Sequence, residues 1–240
     1  MFLIQLAWKN IWRNQSRTLI TMAAIFFAVV LSVITSSLRD GIFDNLVKNI
    51  VSFYTGYVQV HKMGYQEEQI LDNSFAASTV TESRIRKNEN VIGITPRLES
   101  FALAVSENTT RGCMVVGIDP AKEDRVTFLQ NKVVKGSYLK KSDNTILLSE
   151  GLAKKLNLDF EDTIILIGQG YHGSTAAGKF RISGIARFGS PDLNDKFLFM
   201  PLAAAQEFYS APGMITSYIL SLKEPENTGT TASALSSVLG

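Results

Sequence analysis

From Leu19 to Leu38 the chain reads LITMAAIFFAVVLSVITSSL, twenty positions without a charge. At a rise of about 1.5 Å per residue, such a helix reaches about 30 Å, the thickness of a bilayer's hydrocarbon core. The run is apolar on every face, which a helix packed in a soluble domain rarely requires. A secretory signal has the same order of basic stretch and apolar run. Its apolar part is shorter, however, and the exit Thr35-Ser36-Ser37-Leu38-Arg39 lacks an Ala-x-Ala cleavage site. The pattern predicts a retained transmembrane helix over residues 19–38.

Both flanks of the span are patterned. Over residues 1–18, Ile4, Trp8 and Ile11 share one helical stripe, while Gln5, Lys9, Arg13 and Ser16 fall opposite. This predicts an amphipathic helix at the membrane surface, with Trp8 and Trp12 at headgroup level. Lys9, Arg13 and Arg17 precede the span with no acidic residue, which sets the N-terminus on the cytoplasmic side and the bulk of the chain outside. After the span, Leu38, Ile42, Leu46 and Ile50 keep helical spacing, predicting a stalk over residues 39–55 with Gly41 as the place where it could break.

From residue 56 the period shortens. Strands are expected at Gly56–Lys62, Val91–Pro96, Ser100–Val105, Gly112–Ile118, Thr145–Ser149, Asp162–Gly168, Lys179–Arg187, Lys196–Met200 and Met214–Leu222. Short helices are expected at Thr81–Asn88 with Thr81 as cap, at Glu150–Leu156 between Ser149 and Asn157, at Pro201–Tyr209, and from Thr230 onward. Strands and helices mixed without strict alternation indicate an α+β fold. The chain stops inside the last of these helices, so it reads as an N-terminal fragment.

Composition narrows the function. Removing Lys9, Arg13 and Arg17 from the 24 Lys and Arg leaves 21 against 22 Asp and Glu, so the outer part is nearly neutral and has no nucleic-acid footprint. The single cysteine, Cys113, excludes an intrachain disulfide framework. Gly173-Ser-Thr-Ala-Ala-Gly178-Lys179 has phosphate-loop spacing, but Phe180 replaces the Mg²⁺-binding hydroxyl and the following residues alternate like a strand. His61 and His172 have no second ligand at helical or hairpin spacing, and Glu67-Glu68 sits in a polar turn. Asn108-Thr109-Thr110 is a glycosylation sequon by spelling alone. No catalytic residue, metal site or cofactor site is expected.

Several stretches carry a resemblance. Leu6-Ala-Trp-Lys-Asn-Ile-Trp-Arg-Asn-Gln-Ser-Arg-Thr-Leu19, followed at once by the span, resembles the N-terminus of the MacB/LolC/FtsX-type permeases of ABC transporters. Gly56-Tyr-Val-Gln-Val-His61, Val116-Gly-Ile-Asp-Pro120 and Leu148-Ser-Glu-Gly-Leu-Ala-Lys-Lys-Leu-Asn-Leu158 are similar to the same proteins, the last two to the lipoprotein-release branch. The resemblance implies a two-lobed periplasmic domain over 56–240, with a strand-rich lobe inserted at about 96–191, and further membrane helices after 240. It also implies a non-catalytic subunit of the bacterial inner membrane. Its partners would be a cytoplasmic ABC ATPase holding ATP and Mg²⁺, a second permease copy or paralogue, and a periplasmic adaptor or carrier protein. The alternative reading is a single-pass anchored sensor or interaction module. A tethered hydrolase would need an acid, base and nucleophile that Glu67, Glu68, His61 and His172 do not supply.

Overall fold

The structure is a computed structural model and describes residues 5, 8–9, 12–50, 54–107 and 109–239. Helix α1 runs over Gln15–Ile50, 36 residues, and its backbone passes Asp40 and Gly41 without a break. At about 1.5 Å per residue it is about 54 Å long. Its part Gln15–Arg39 is long and apolar enough to cross a membrane and buries none of its apolar window. It starts four residues ahead of the expected span, because nothing in Gln15-Ser-Arg-Thr18 breaks a helix. The Thr18 and Thr21 hydroxyls donate to the carbonyls of Asn14 and Arg17, one turn back. Of the expected amphipathic helix, Gln5, Trp8, Lys9, Trp12 and Arg13 are helical and exposed, while Ile4 and Ile11 lie outside the described residues.

The outer part follows as β1 (Val58–Val60), β2 (Phe75–Ala76), α2 (Thr79–Ile85), β3 (Val91–Val105), β4 (Thr110–Ile118), α3 (Pro120–Thr127), β5 (Val133–Gly136), β6 (Thr145–Ser149), α4 (Glu150–Leu156), β7 (Thr163–Gln169), β8 (Thr175–Ala186), α5 (Pro191–Lys196), β9 (Phe197–Pro201), α6 (Leu202–Phe208), β10 (Met214–Ile215), β11 (Ser217–Leu222) and α7 (Thr228–Leu239). Among the described residues nine of these strands form one mixed sheet, the α+β class that the pattern predicts.

Part of that sheet closes on itself. In the order β3, β4, β9, β6, β8, β7, each strand pairs with the next, and β7 returns to pair with β3. Closure removes the sheet edges, and a ring of six strands is narrow enough for side chains to fill it. Alternation along the strands sends Ala102, Ala104, Cys113, Val115, Ile164 and Leu166 inward, all buried. Helices α4 and α6 add Leu152, Leu156, Ala205 and Phe208 to this core. Gly117 permits the approach of α6, since a side chain there would meet Ala205.

A smaller lobe extends from the same strand. Residues 91–97 of β3 pair with β11, which pairs in turn with β1. Ile85 of α2 and Leu235 of α7 pack with Val58, Ile94, Tyr218 and Leu220 in a separate core. From Arg97 onward β3 pairs instead with β4, and from Ala102 also with β7. The segment 96–191 holds most of the ring, but β3 crosses its boundary unbroken, and β9 and α6 complete the ring from beyond it.

Several elements differ from the expectation. The strands Val91–Pro96 and Ser100–Val105 are one strand, because β4 pairing begins only at Arg97 and Pro96 therefore owes β4 no hydrogen bond. Ser78, not Thr81, caps α2, accepting from the Thr81 amide. Asn157 ends α4 in the left-handed region as expected, but the Ser149 hydroxyl at its other end makes no capping bond. Pro201 ends β9 and caps α6 rather than starting it. The strand expected over Met214–Leu222 is interrupted at Thr216. Helices α3 and α5 and strand β5 had no expected counterpart.

Candidate functional site

The period of two along β3 places Thr95, Arg97 and Glu99 on one face. Arg97 is buried to 0% exposure at the position where β3 changes partners. A cation can persist there only with a matched anion. Helix α3 supplies it. The Asp119 carboxylate caps that helix, accepting from the amides of Ala121 and Lys122, and Pro120 occupies its first turn. One turn on, Glu123 meets the guanidinium with two bonds, Nη2 to Oε1 at 2.5 Å and Nε to Oε2 at 3.1 Å. The Thr95 and Thr127 hydroxyls donate to the same carboxylate at 3.2 and 2.9 Å. Burial alone would lower the Arg97 pKa, but the charge and hydrogen bonds of Glu123, with Glu99 behind them, raise it.

Two further groups tie this pair to the chain around it. Arg97 Nη1 donates to Glu99 Oε1 at 3.3 Å, and the Tyr54 hydroxyl donates to the same oxygen at 3.1 Å. The Tyr54 ring lies 4.8 Å from the Arg97 guanidinium carbon and edge-on to Phe197 of β9 at 4.6 Å. Burial, and then the Glu99 charge, push the Tyr54 phenol well above its ordinary range. Thr216, the residue that interrupts β10 and β11, donates its amide and hydroxyl to the Arg97 carbonyl and accepts the Glu99 amide.

A cleft of about 280 Å³ opens beside this cluster, lined by Tyr54, His61, Tyr65, Glu99, Phe101 and Phe197 among others. His61 stacks on Tyr65 at 4.7 Å, its Nδ1 is 2.9 Å from the Thr216 carbonyl, and its Nε2 is 2.8 Å from Gln59 Oε1. Both ring nitrogens are thus engaged in holding the fold. Burial, with Glu99 second, raises Tyr65 to about 12. Among the described residues no three His, Cys, Asp or Glu side chains converge on a metal position. The arrangement is chemically a clamp: a matched ion pair with an aromatic residue hydrogen-bonded to its edge.

The residues singled out from sequence lie elsewhere. Trp8 and Trp12 are exposed with ring centroids 6.2 Å apart, and Lys9, Arg13 and Arg17 are exposed. Leu38 and Ile42 are exposed on α1, while Leu46 and Ile50 have helical backbone and side chains outside the described residues. Lys179 lies in β8 opposite Ile165, so the phosphate-loop spelling falls on a strand. His172 is exposed, 3.5 Å from Asp72, and Glu67 and Glu68 are exposed in a turn. Cys113 is buried and donates to the Ala102 carbonyl, with burial raising its thiol to about 12. Asn108 of the sequon lies outside the described residues. Sequence reasoning singled out neither Tyr54, Arg97, Glu99 nor Glu123 for a role. Two signals for the cluster were present: an arginine inside the apolar run Ile92-Gly-Ile-Thr-Pro-Arg-Leu98, and Asp119-Pro-x-x-Glu123, the spelling of a helix start.

A helix long and apolar enough to cross a membrane, followed in the chain by a ring-and-lobe domain with a buried ion-pair clamp, defines the class: an α+β domain preceded by a candidate membrane helix. The family model described as the MacB-like periplasmic core domain matches residues 18–238, and the chain belongs to that family. The expected kinship with MacB/LolC/FtsX-type permeases is thereby shown. Over 151 residues, 60% of this chain, it is 26% identical to the lipoprotein-releasing system transmembrane protein LolE of Haemophilus influenzae, of which it spans 36%. Two solved structures share the fold. The periplasmic region of MacB from Actinobacillus actinomycetemcomitans has a TM-score of 0.51 at 16% identity, over 75% of this chain and 80% of that one. The extracellular domain of the noncanonic ABC-type transporter YknZ from Gram-positive bacteria has a TM-score of 0.50 at 11% identity, over 72% and 86%.

Proposed function

We propose that this chain belongs to a permease subunit that passes ATP-driven movement of membrane helices to a periplasmic domain, in lipoprotein release or in export from the outer leaflet or periplasm. The carrying observation is that one family match, residues 18–238, takes in most of α1 and the ring-and-lobe domain together. The helix supports the reading physically: 36 residues without a break transmit displacement better than a kinked helix would. The likeness to LolE favours the lipoprotein branch. ATP and Mg²⁺ would sit on a partner ATPase in the cytoplasm. A second permease copy or paralogue and a periplasmic adaptor or carrier would complete the assembly, with the N-terminus cytoplasmic.

The test is purification of the full-length protein from its native membrane. The expected result is that an ABC ATPase accompanies it and that the complex hydrolyses ATP faster than the ATPase alone. If no ATPase accompanies it and none is stimulated by it, the permease reading fails and the anchored sensor takes its place.

A further inference from the structure

We infer that Tyr54 is the positioning residue that makes the ring follow the smaller lobe, with the Arg97–Glu123 pair as the fixed point it bears on. This rests on the permease reading. Tyr54 comes four positions after the last residue of α1. From it the chain turns at Gly56, whose φ of +65° and crowding by Ile219 and Leu220 suit glycine alone, and joins β11 through the Tyr57 amide and β1. Those links reach the smaller lobe. Tyr54 instead touches the ring at two strands, through Glu99 of β3 and Phe197 of β9.

The chemistry of these contacts decides what each can transmit. The edge-to-face contact of Tyr54 on Phe197 has only a shallow angular preference and tolerates small shifts. The bond from the Tyr54 hydroxyl to Glu99 Oε1 is directional and fixes one edge of the ring. Its acceptor is itself fixed, because Arg97 holds Glu99 and Glu123 holds Arg97 from the opposite side. Arg97 stands where β3 leaves β11 for β4, so a displacement resisted there is shared between the lobes. Without the hydroxyl, the lobes remain joined by the strand and by packing, but the segment after the helix loses its bond to Glu99 of the ring.

The experiment uses the full-length permease with its ATPase in nanodiscs. Spin labels go on the ring at Lys179→Cys and on the smaller lobe at Ser236→Cys, both exposed, and distances are read with and without trapped nucleotide. The expected result for the parent is a narrow distribution with the same mean with and without trapped nucleotide, because the ring follows the smaller lobe. Tyr54→Phe, which keeps the aromatic ring and its packing, should broaden the distribution to about twice the parent's width or more and shift its mean on trapping, with ATP hydrolysis and thermal midpoint retained. Glu99→Gln keeps an acceptor for the hydroxyl and should behave like the parent. A merely structural role would be exposed only by Tyr54→Ala. An unchanged width and an unshifted mean in Tyr54→Phe overturn the inference while leaving the permease reading intact. A parent distribution that shifts on trapping overturns the inference alone, and a parent that neither binds nor stimulates an ABC ATPase overturns both.

Discussion

Two stretches of β3 a few residues apart are equally dry and chemically opposite. Ala102 and Ala104 face an interior of aliphatic and aromatic groups, and Arg97 faces the Glu123 carboxylate. The ring interior asks only that volume be filled, which many combinations of apolar side chains satisfy. The seam asks for particular partners at particular angles, since each buried polar group left unpaired costs its full desolvation. The ring therefore supplies stability that is broadly shared, and the seam supplies geometry that resides in a few atoms.

The sharpest way to break this contrast is Arg97→Met. It strands Glu123 in a dry site and should lower unfolding stability by about 3–5 kcal/mol, read by urea titration in detergent. Adding Glu123→Leu should return most of that loss, because an apolar pair of similar volume no longer leaves a buried charge. If the single variant costs as little as the double, the seam behaves like the ring. Within the ring, Leu148→Ala at a fully buried position of β6 should cost about 2–5 kcal/mol, whereas Leu148→Met should cost less than about 1.5 kcal/mol. That tolerance to shape is what the seam lacks.

Alkaline pH tests the seam more gently. Tyr54 and Tyr65 hold their protons more tightly in the folded chain than in the unfolded one, Tyr65 up to about 12. Their contribution is fully present below the ordinary tyrosine value and is lost as pH rises through the folded values. Unfolding followed upward from neutral pH should therefore show stability falling in the alkaline range, with a shallower fall in Tyr54→Phe. The smallest effect belongs on the outer surface. Hydrogen bonds from Arg187 and then Lys154 hold Glu150 down at about 2, so its contribution is present above the ordinary carboxylate range and is lost as pH falls towards that value. The pair is open to solvent, so Glu150→Gln should flatten the acid limb only slightly, and added salt should do the same.

Much of the local structure was legible along the chain. The start of α4 at Glu150 and its end at Asn157 match their spelling, and the strand from Thr145 to Ser149 falls where its apolar run lies. Other elements were hidden for identifiable reasons. Pro96 and Glu99 read as breaks in β3, although the first precedes β4 pairing and the second is bonded within the clamp. Asp119-Pro120 reads as the end of a strand, although Pro120 stands in the first turn of helix α3. Val133–Gly136 is short and mostly exposed, and it is a strand only because β8 lies beside it.

The sequence by itself determined what depends on residues near one another. An uncharged run of membrane length and period-two alternation each express local physics, and each survives in the structure. The tertiary structure alone decided that β7 returns to β3 to close the ring, and that Arg97 finds Glu123 and Glu99 finds Tyr54. Those contacts join residues distant in the chain, and the free energy of burying a charge depends on what the rest of the fold brings beside it.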